Sequence, residues 1–167
     1  MYFFKLESRG YEYVNDSIID NIEEWEKTFS FFCPVKVRFS ETDAFGHLNN
    51  TRVFVCFEEA RIEYFKALGL MEDWMIKEND LIVVTADLQC NYIKQVFFDE
   101  KLKVYVNAPQ IGNSSADLHY MVKNEKGEIC LTGRGRIVQI SKQTGKPVEW
   151  AQSVIEKMNE NRKKVKI

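Results

Sequence analysis

The chain contains few of the features that would indicate a membrane or secreted protein. In its 167 residues no apolar run reaches about 18 residues, the length that a membrane-spanning helix needs. The first residues, MYFFKLESRGYEY, lack the basic segment and the sustained apolar segment of a secretory signal. We therefore expect a cytoplasmic protein without membrane insertion.

Cysteine and histidine are too scarce and too scattered to indicate a disulfide framework or a metal cage. The four cysteines stand at wide, irregular spacings in apolar surroundings and form no CxxC motif: Cys33, Cys56, Cys90 and Cys130. This pattern favours reduced thiols in a core. The two histidines, His47 and His119, are too few to suggest a metal site. We expect no metal and no other cofactor.

The charges of the chain nearly cancel, with 23 basic and 25 acidic residues. Such a balance produces no overall field that would attract nucleic acid, so we expect no nucleic-acid partner. The locally basic end, NRKKVKI, is interpreted as a solvated tail. Because 45% of the residues are hydrophobic and 13% are aromatic, the chain can bury one sizeable core.

The first 32 residues predict an extension with an apolar face of its own. FFKLE and YEYV predict a hairpin around Ser8, Arg9 and Gly10. Asp16 or Ser17 would then cap a helix. Four residues at helical spacing form its apolar stripe: Ile18, Ile22, Trp25 and Phe29. We expect SIIDNIEEWEKTF to pack against the core of the protein or against a partner subunit.

Residues 33–150 predict the main domain. VKVRF alternates the apolar residues Val35, Val37 and Phe39 with basic ones, which indicates a strand with one buried face. A polar motif follows, and from about Asn49 to Leu68 apolar residues recur at helical spacing. Their surface is so wide that we expect this helix to be largely enclosed. A glycine, Gly69, ends the helix, and a short helix around MEDWMIKEN follows.

The remainder of the chain changes to strand periodicity. Four strand-like runs follow one another: LIVVTADLQCNYI, EKLKVYVNA, SADLHYMVKN and EICLTGRGRIVQIS. NEKGE supplies a hairpin turn, and consecutive strands favour an antiparallel sheet. The stretch VEWAQSVIEKMNENRKK after Pro147 predicts a surface helix with Trp150, Val154 and Met158 at helical spacing, and residues 151–167 are assigned to this helix and the basic tail. The order of elements predicts an α+β domain in which one sheet covers one apolar helix.

One segment, VRFSETDAFGHLNNTRVFVCFEEARIEYFKALGL, resembles the opening of the hotdog-fold acyl-CoA thioesterases of the 4-hydroxybenzoyl-CoA thioesterase type. The later strands are similar to those of the same family, so the resemblance covers roughly residues 33–150. It implies a hotdog fold, an antiparallel sheet wrapped around a long central helix. It also implies that the chain hydrolyses an acyl-CoA thioester and forms a homodimer or homotetramer. Family dimers pair sheets edge to edge and place active sites at the subunit interface.

By position in the motif, the resemblance makes Asp43 the catalytic carboxylate and Asn50 the residue whose backbone N–H faces the thioester oxygen. Gly46, His47 and Asn49 are the candidate substrate-binding residues. Helix N-termini leave N–H groups unpaired and carry a partial positive charge, so they stabilise an oxyanion. An ionised Asp43 either activates water or attacks the carbonyl itself. The sequence leaves both routes open.

Other interpretations of these residues remain open. Asp43 is also a favoured residue for a helix N-cap, and a loop histidine such as His47 is often structural. We interpret Glu41 as mainly structural. Phe39 stands where some members of the family carry a tyrosine, so a hydroxyl contribution is absent there.

Carboxylates of the predicted central helix form a rival site. Another branch of hotdog thioesterases places its catalytic carboxylate on this helix, which makes Glu59 the first alternative to Asp43. We expect Glu58, Glu59 and Glu63 rather to pair with Arg61 or to face a dimer partner.

Three further polar residues of the strands are structural or weak candidates. We interpret His119 as an ordinary structural residue of a strand. Arg134 and Arg136 share a strand face and are weak candidates for CoA phosphates.

Two other functions also fit the motif. One is hydrolysis of an acyl group carried on acyl carrier protein. The other is a hotdog module that binds acyl-CoA or a partner without turnover, because a fold does not specify a function.

Overall fold

The computed structural model describes residues 19–163, with side chains to residue 160. In chain order its regular elements are α1 (Ile22–Glu26), β1 (Phe31–Lys36), α2 (Asn50–Ala67), α3 (Met71–Met75), β2 (Leu81–Tyr92), β3 (Lys101–Ile111), β4 (Ser115–Lys123), β5 (Ile129–Ser141) and α4 (Gln152–Lys163). The strands form one antiparallel sheet in the order β1-β3-β4-β5-β2. The sheet wraps around α2, which is the hotdog architecture that the resemblance implies.

Both ends of α2 follow the sequence signals. Asn49 caps its start, because the Asn49 Oδ1 accepts a hydrogen bond from the Thr51 N–H at 2.9 Å. At the other end Gly69 has φ 64°, and its N–H donates to the Lys66 carbonyl at 2.8 Å. Glycine adopts this left-handed conformation without a Cβ clash. The expected helix and its glycine stop are confirmed.

One side of α2 forms the core against the sheet. Its buried residues are Val53, Cys56, Phe57, Ala60, Tyr64 and Phe65. The Phe57 ring stacks on Tyr120 of β4 with centroids 4.4 Å apart. Gly133 of β5 makes this approach possible, since a Cβ there would lie 2.5 Å from the Phe57 ring. The strands β4 and β5 therefore pack closely against α2 at Phe57.

The opposite side of α2 corrects the expectation that the helix is largely enclosed. Val55, Glu58 and Glu59 are exposed, and they line a shallow groove together with Ile62 and Glu63. The expectation is wrong for the single chain because a sheet on one side of a helix covers only that side.

The strand predicted over VKVRF is also corrected. β1 occupies Phe31–Lys36, and although Val37 is buried, Phe39 is 78% exposed. A 3-10 turn begins at Phe39, and the Glu41 carboxylate closes it by accepting a hydrogen bond from the Arg38 N–H at 2.8 Å. This turn ends the alternation, so Phe39 leaves the buried face.

The predicted extension is only partly within the described residues. The hairpin around Ser8, Arg9 and Gly10 and the caps Asp16 and Ser17 lie outside them. The helix α1 is shorter than expected because the Asn21 Oδ1 caps it, accepting from the Glu23 and Glu24 N–H groups at 2.9 and 3.1 Å.

The described part of the extension, from residue 19, packs on the face of the sheet opposite α2. Neighbouring residues of a strand point to opposite faces, so His119 of β4 lies on the other side from Tyr120. There the Trp25 Nε1–H donates to the His119 Nδ1 at 2.9 Å, and Trp25 and Phe29 pack with Met121. The expected packing of this segment is confirmed for residues 19–29, and His119 has a structural role.

The final helix covers one end of the sheet. Met158 of α4 is fully buried, and Trp150, which precedes the helix, donates its Nε1–H to the Ser115 carbonyl at 3.1 Å. The helix includes the first residues of the basic stretch, and the last four residues of the chain lie outside the described part. No helix within residues 19–163 is long and apolar enough to cross a membrane.

Candidate active site

The turn that carries Asp43 is closed by its own hydrogen bonds. The Asp43 N–H donates to the His47 carbonyl at 2.8 Å, and the Gly46 N–H donates to the Asp43 carbonyl at 3.1 Å. Gly46 has φ 81°, a value that side chains disfavour, so glycine makes the tight turn without strain. The structure thus gives Gly46 a clear local role.

The Asp43 carboxylate is held by one of its two oxygens. Oδ1 accepts hydrogen bonds from the Phe45 N–H at 2.8 Å and from the His47 N–H at 3.1 Å. Asp43 therefore orders its own turn and does not cap α2, whose cap is Asn49. The interpretation of Asp43 as a helix cap is wrong. Among the described residues, Oδ2 takes part in no hydrogen bond, so one oxygen is positioned and one is left for chemistry.

Backbone hydrogen bonds hold the segment between the Asp43 turn and the start of α2. The Leu48 N–H donates to the Val96 carbonyl at 2.7 Å, and the Asn49 N–H donates to the Glu41 carbonyl at 2.8 Å. The His47 ring packs edge to face on Phe97 with centroids 5.0 Å apart. The carboxylate and the helix start are consequently parts of one ordered unit.

The first amide of α2 has no acceptor within the described part of the chain. The Thr51 N–H is taken by the Asn49 side chain, and the Arg52 N–H donates to the Asn49 carbonyl at 2.9 Å. The Asn50 N–H appears in no hydrogen bond among residues 19–163. A helix start with an unused N–H is suited to bind a carbonyl oxygen that gains negative charge.

Tyr92 is a site residue that the sequence did not indicate. Its hydroxyl donates to the Asn50 carbonyl at 2.8 Å and so ties the start of α2 to the end of β2. Burial, with the neighbouring Cys90 thiol, raises the pKa of Tyr92 to about 12, which keeps the phenol protonated as a donor. The alternation of β2 places Tyr92 on the same face of the sheet as Cys90. This alternation is the sequence feature that could have indicated Tyr92 as a site residue.

The rival carboxylates on α2 are separate from the Asp43 turn within one chain. Glu59 follows Asn50 by nine residues, which corresponds to roughly 14 Å along a helix. The expected pairing with Arg61 is not found among the described contacts. Glu63 instead pairs with Lys66 at 2.7 Å, and the Arg61 Nη1 approaches the Tyr120 hydroxyl at 3.5 Å.

The two arginines of β5 are engaged with carboxylates. Arg136 makes a two-pronged contact with Asp117, at 2.8 and 2.9 Å, and Arg134 lies 3.5 Å from Asp87. These pairs lie on the face of the sheet opposite α2, because Asp117 and His119 alternate with Tyr120. The structure therefore does not bring the arginines to the Asp43 turn.

Burial disfavours the thiolate form of the cysteines. All four are free thiols, as expected. Burial raises the pKa of Cys56 and of Cys90 to about 12, so the reactive thiolate is scarce. Within residues 19–163 no three His, Cys, Asp or Glu side chains are grouped so that they could hold a metal ion.

Comparisons with known proteins identify the family of the chain. Residues 37–158 match the family model described as the thioesterase-like superfamily. The uncharacterized protein YsmA of Bacillus subtilis is 48% identical over 128 residues, which are 77% of this chain and 84% of YsmA. The acyl-CoA thioesterase YbgC of Haemophilus influenzae is 31% identical over 83 residues, 50% of this chain and 60% of YbgC. The structure of a DHNA-CoA thioesterase from Staphylococcus aureus superposes with a TM-score of 0.67 at 29% identity, covering 80% of this chain and 89% of that one.

Proposed function

The chain belongs to the thioesterase-like superfamily and is a thioester hydrolase, and on that premise we propose that it hydrolyses an acyl-CoA to a free acid and CoA at Asp43. One observation carries the proposal. A carboxylate held by one oxygen lies in the turn that leads directly into a helix whose first N–H has no acceptor among the described residues. The reaction needs a base or nucleophile and an oxyanion donor, and these two groups provide them.

The proposed reaction begins with the thioester carbonyl oxygen accepting a hydrogen bond from the Asn50 N–H. In one route Asp43 removes a proton from water, and the resulting hydroxide adds to the carbonyl carbon. The oxyanion is stabilised at the helix start, the C–S bond breaks, and the CoA thiolate takes up a proton. In the other route a carboxylate oxygen of Asp43 adds to the carbonyl carbon, thiolate leaves, and water hydrolyses the anhydride.

The remaining motif residues are proposed to position these two groups. Gly46 permits the turn, the His47 N–H holds Asp43, and Asn49 orients the helix start. The His47 ring, which packs on Phe97, is the motif side chain that we propose to contact substrate as well. Tyr92 joins this group as a positioning residue through its bond to Asn50.

We further propose that the enzyme is a homodimer or a homotetramer built from such dimers. β2 is an edge strand with β5 as its one neighbour in the sheet, and the exposed face of α2 carries apolar Val55 and Ile62. An edge strand beside an apolar helix face favours pairing with a second copy. Light scattering after size exclusion tests this, and a monomer at working concentrations would contradict it.

The function is tested by measuring free-thiol release from a panel of acyl-CoAs with the wild type and Asp43→Asn. We expect the variant to lose about 100- to 10,000-fold in kcat while keeping its thermal unfolding curve. Asp117→Asn is the matched control, because Asp117 lies on the other face of the sheet and its loss should leave turnover unchanged.

Each other outcome would replace the proposal with a named alternative. Full turnover by Asp43→Asn would move the carboxylate role to Glu59. If the wild type hydrolyses acyl groups on acyl carrier protein but not on CoA, the carrier protein delivers the substrate. Binding of acyl-CoA without thiol release would indicate a binding module.

A further inference from the structure

Exposed phenylalanine is concentrated around the Asp43 turn. We call the surface formed by Phe39, Phe45, Phe97 and Phe98 the aromatic collar. Phe45 is 83% exposed and Phe39 78%, whereas most large apolar side chains of the described residues are buried. Clusters of exposed apolar side chains on a protein surface commonly mark a place where something binds.

Three of the four collar rings make ring contacts. Phe39 and Phe98 pack edge to face with centroids 5.9 Å apart, and Phe97 packs on the His47 ring at 5.0 Å. The loop that carries Phe97 is also bonded, since the Phe97 N–H donates to the Glu100 carboxylate at 3.2 Å. Side chains already held by such contacts lose little conformational entropy when they bind.

The collar begins at the reacting carboxylate. The Phe45 N–H donates to the Asp43 Oδ1, and the next residue to bond this oxygen, His47, packs on Phe97. A thioester whose carbonyl carbon lies at Asp43 therefore has its attached groups next to these rings. One of these groups is the acyl group, and the other is the pantetheine arm of CoA, whose two amides need hydrogen-bond partners. Aromatic rings without donors or acceptors suit an apolar group better than such an arm.

We propose that the aromatic collar binds the acyl group and selects substrates whose acyl group is large and apolar. This inference rests on the proposed thioesterase function and adds the substrate class to it. Aromatic and long aliphatic acyl groups share this chemistry, and the substrate panel distinguishes them.

The test compares Phe45→Ala and Phe97→Ala with the wild type on acetyl-, decanoyl- and benzoyl-CoA. Phe32→Ala is the matched control. Phe32 is 43% exposed, close to the 44% of Phe97, but it packs on Tyr105 under Lys103, away from the turn. Phe45 and Phe97 are well exposed, so their removal should not unfold the protein.

We expect each collar variant to lose about 10-fold or more in kcat/KM on the favoured large acyl group and much less on acetyl-CoA. Loss on decanoyl-CoA alone would identify an aliphatic substrate, and loss on benzoyl-CoA alone an aromatic one. The inference is overturned if all three substrates lose equally, or if Phe32→Ala has the same effect. It is also overturned if the collar variants dissociate the oligomer, because the collar would then be an interface between copies.

A binding experiment separates this inference from the proposed function. In the Asp43→Asn background, calorimetry should show that decanoyl- or benzoyl-CoA binds more tightly than CoA, and that Phe97→Ala abolishes the difference. If the wild type hydrolyses acetyl-CoA but no binding difference exists, the collar inference fails while the function stands. If no substrate is hydrolysed but acyl-CoA still binds more tightly than CoA, the proposed function fails while the collar inference stands.

Discussion

The two faces of the sheet are covered by helices of different kinds. On one face the 18-residue α2 buries a continuous apolar stripe, and on the other the five-residue α1 docks through a few directed contacts. Those contacts are the Trp25–His119 hydrogen bond, the Glu26–Lys123 ion pair and the hydrogen bond from the Asn107 amide to the Thr28 hydroxyl at 2.6 Å. The first face depends on a large apolar area, whereas the second combines a small apolar cluster around Trp25 and Phe29 with individual polar pairs.

This difference has a consequence for stability and for function. A helix of five residues is not stable alone, so α1 exists because it is docked. The long helix α2 carries the proposed oxyanion donor at its start, and its packing holds that amide in place. The α2 face should therefore respond most strongly to mutation, and the α1 face should respond to the loss of single polar groups.

The largest effect is expected for Phe57→Ala on the α2 face. Phe57 is fully buried and stacks on Tyr120, so the free energy of unfolding should fall by about 3–5 kcal/mol. Urea denaturation measures the change. Lys66→Ala at an exposed position of the same helix should cost less than about 0.5 kcal/mol. Equal losses at both positions would contradict the one-sided packing.

Gly133→Ala should destabilise the same face by adding one carbon. Its Cβ would lie 2.5 Å from the Phe57 ring and 2.8 Å from the Gln89 carbonyl oxygen, so the layer must move apart. Overpacking of this kind costs about 1–3 kcal/mol. Thermal unfolding measures the effect, and combining the substitution with Phe57→Leu should relieve part of it. No relief would show that the strand, not the ring, is the obstacle.

Trp25→Phe tests the polar character of the α1 face. It keeps a large ring but removes the Nε1–H, which leaves the buried His119 Nδ1 without that donor. We expect a loss of about 1–3 kcal/mol in unfolding free energy and faster proteolysis near α1. Trp74→Phe is the control, because no hydrogen bond of the Trp74 indole is found in the described part of the chain. A smaller loss of stability at Trp25 than at Trp74 would show that the Trp25–His119 hydrogen bond does not stabilise this face.

The smallest effect is expected for Asp117→Asn, and it depends on pH. The hydrogen bonds from Arg136 lower the pKa of Asp117. A lowered pKa in the folded state stabilises the protein above the unfolded pKa of about 3.9, and this stabilisation is lost as the pH falls through the folded value. The variant should be less stable by up to about 1 kcal/mol at pH 7. At pH values below both pKa values the two proteins should match, and a gap that widens in acid would contradict this sign.

The fold followed closely from local patterns where the patterns were long. The four later strands, the span of α2 and its glycine stop were predicted correctly, because alternation, helical spacing and a stop signal act within a few residues of each other; the Asn49 cap was not predicted. Phe39 was misplaced because one capping bond to Arg38 turns the chain out of the strand pattern. The enclosure of α2 was overestimated because hydrophobic spacing states which residues are apolar, not what covers them.

In the candidate site, too, local sequence patterns indicated some features, and others depend on contacts between distant residues. The motif around Asp43 and Asn50 marked the place, and the roles assigned to them remain predictions that the thiol-release assay addresses. What the motif did not show is that Asp43 is held by the amides of Phe45 and His47. Tyr92 was missed because its partner Asn50 lies 42 residues away in the chain.

The sequence by itself determined the order of helices and strands, the alternation of the sheet and the family motif, since these depend on neighbouring residues. The tertiary structure decided which face α1 covers, which oxygen of Asp43 is bonded and where the exposed phenylalanines gather. Those features depend on pairs such as Trp25 and His119, which are distant in the chain. Hydrogen bonds require two groups at one distance and angle, and only the folded chain brings such groups together.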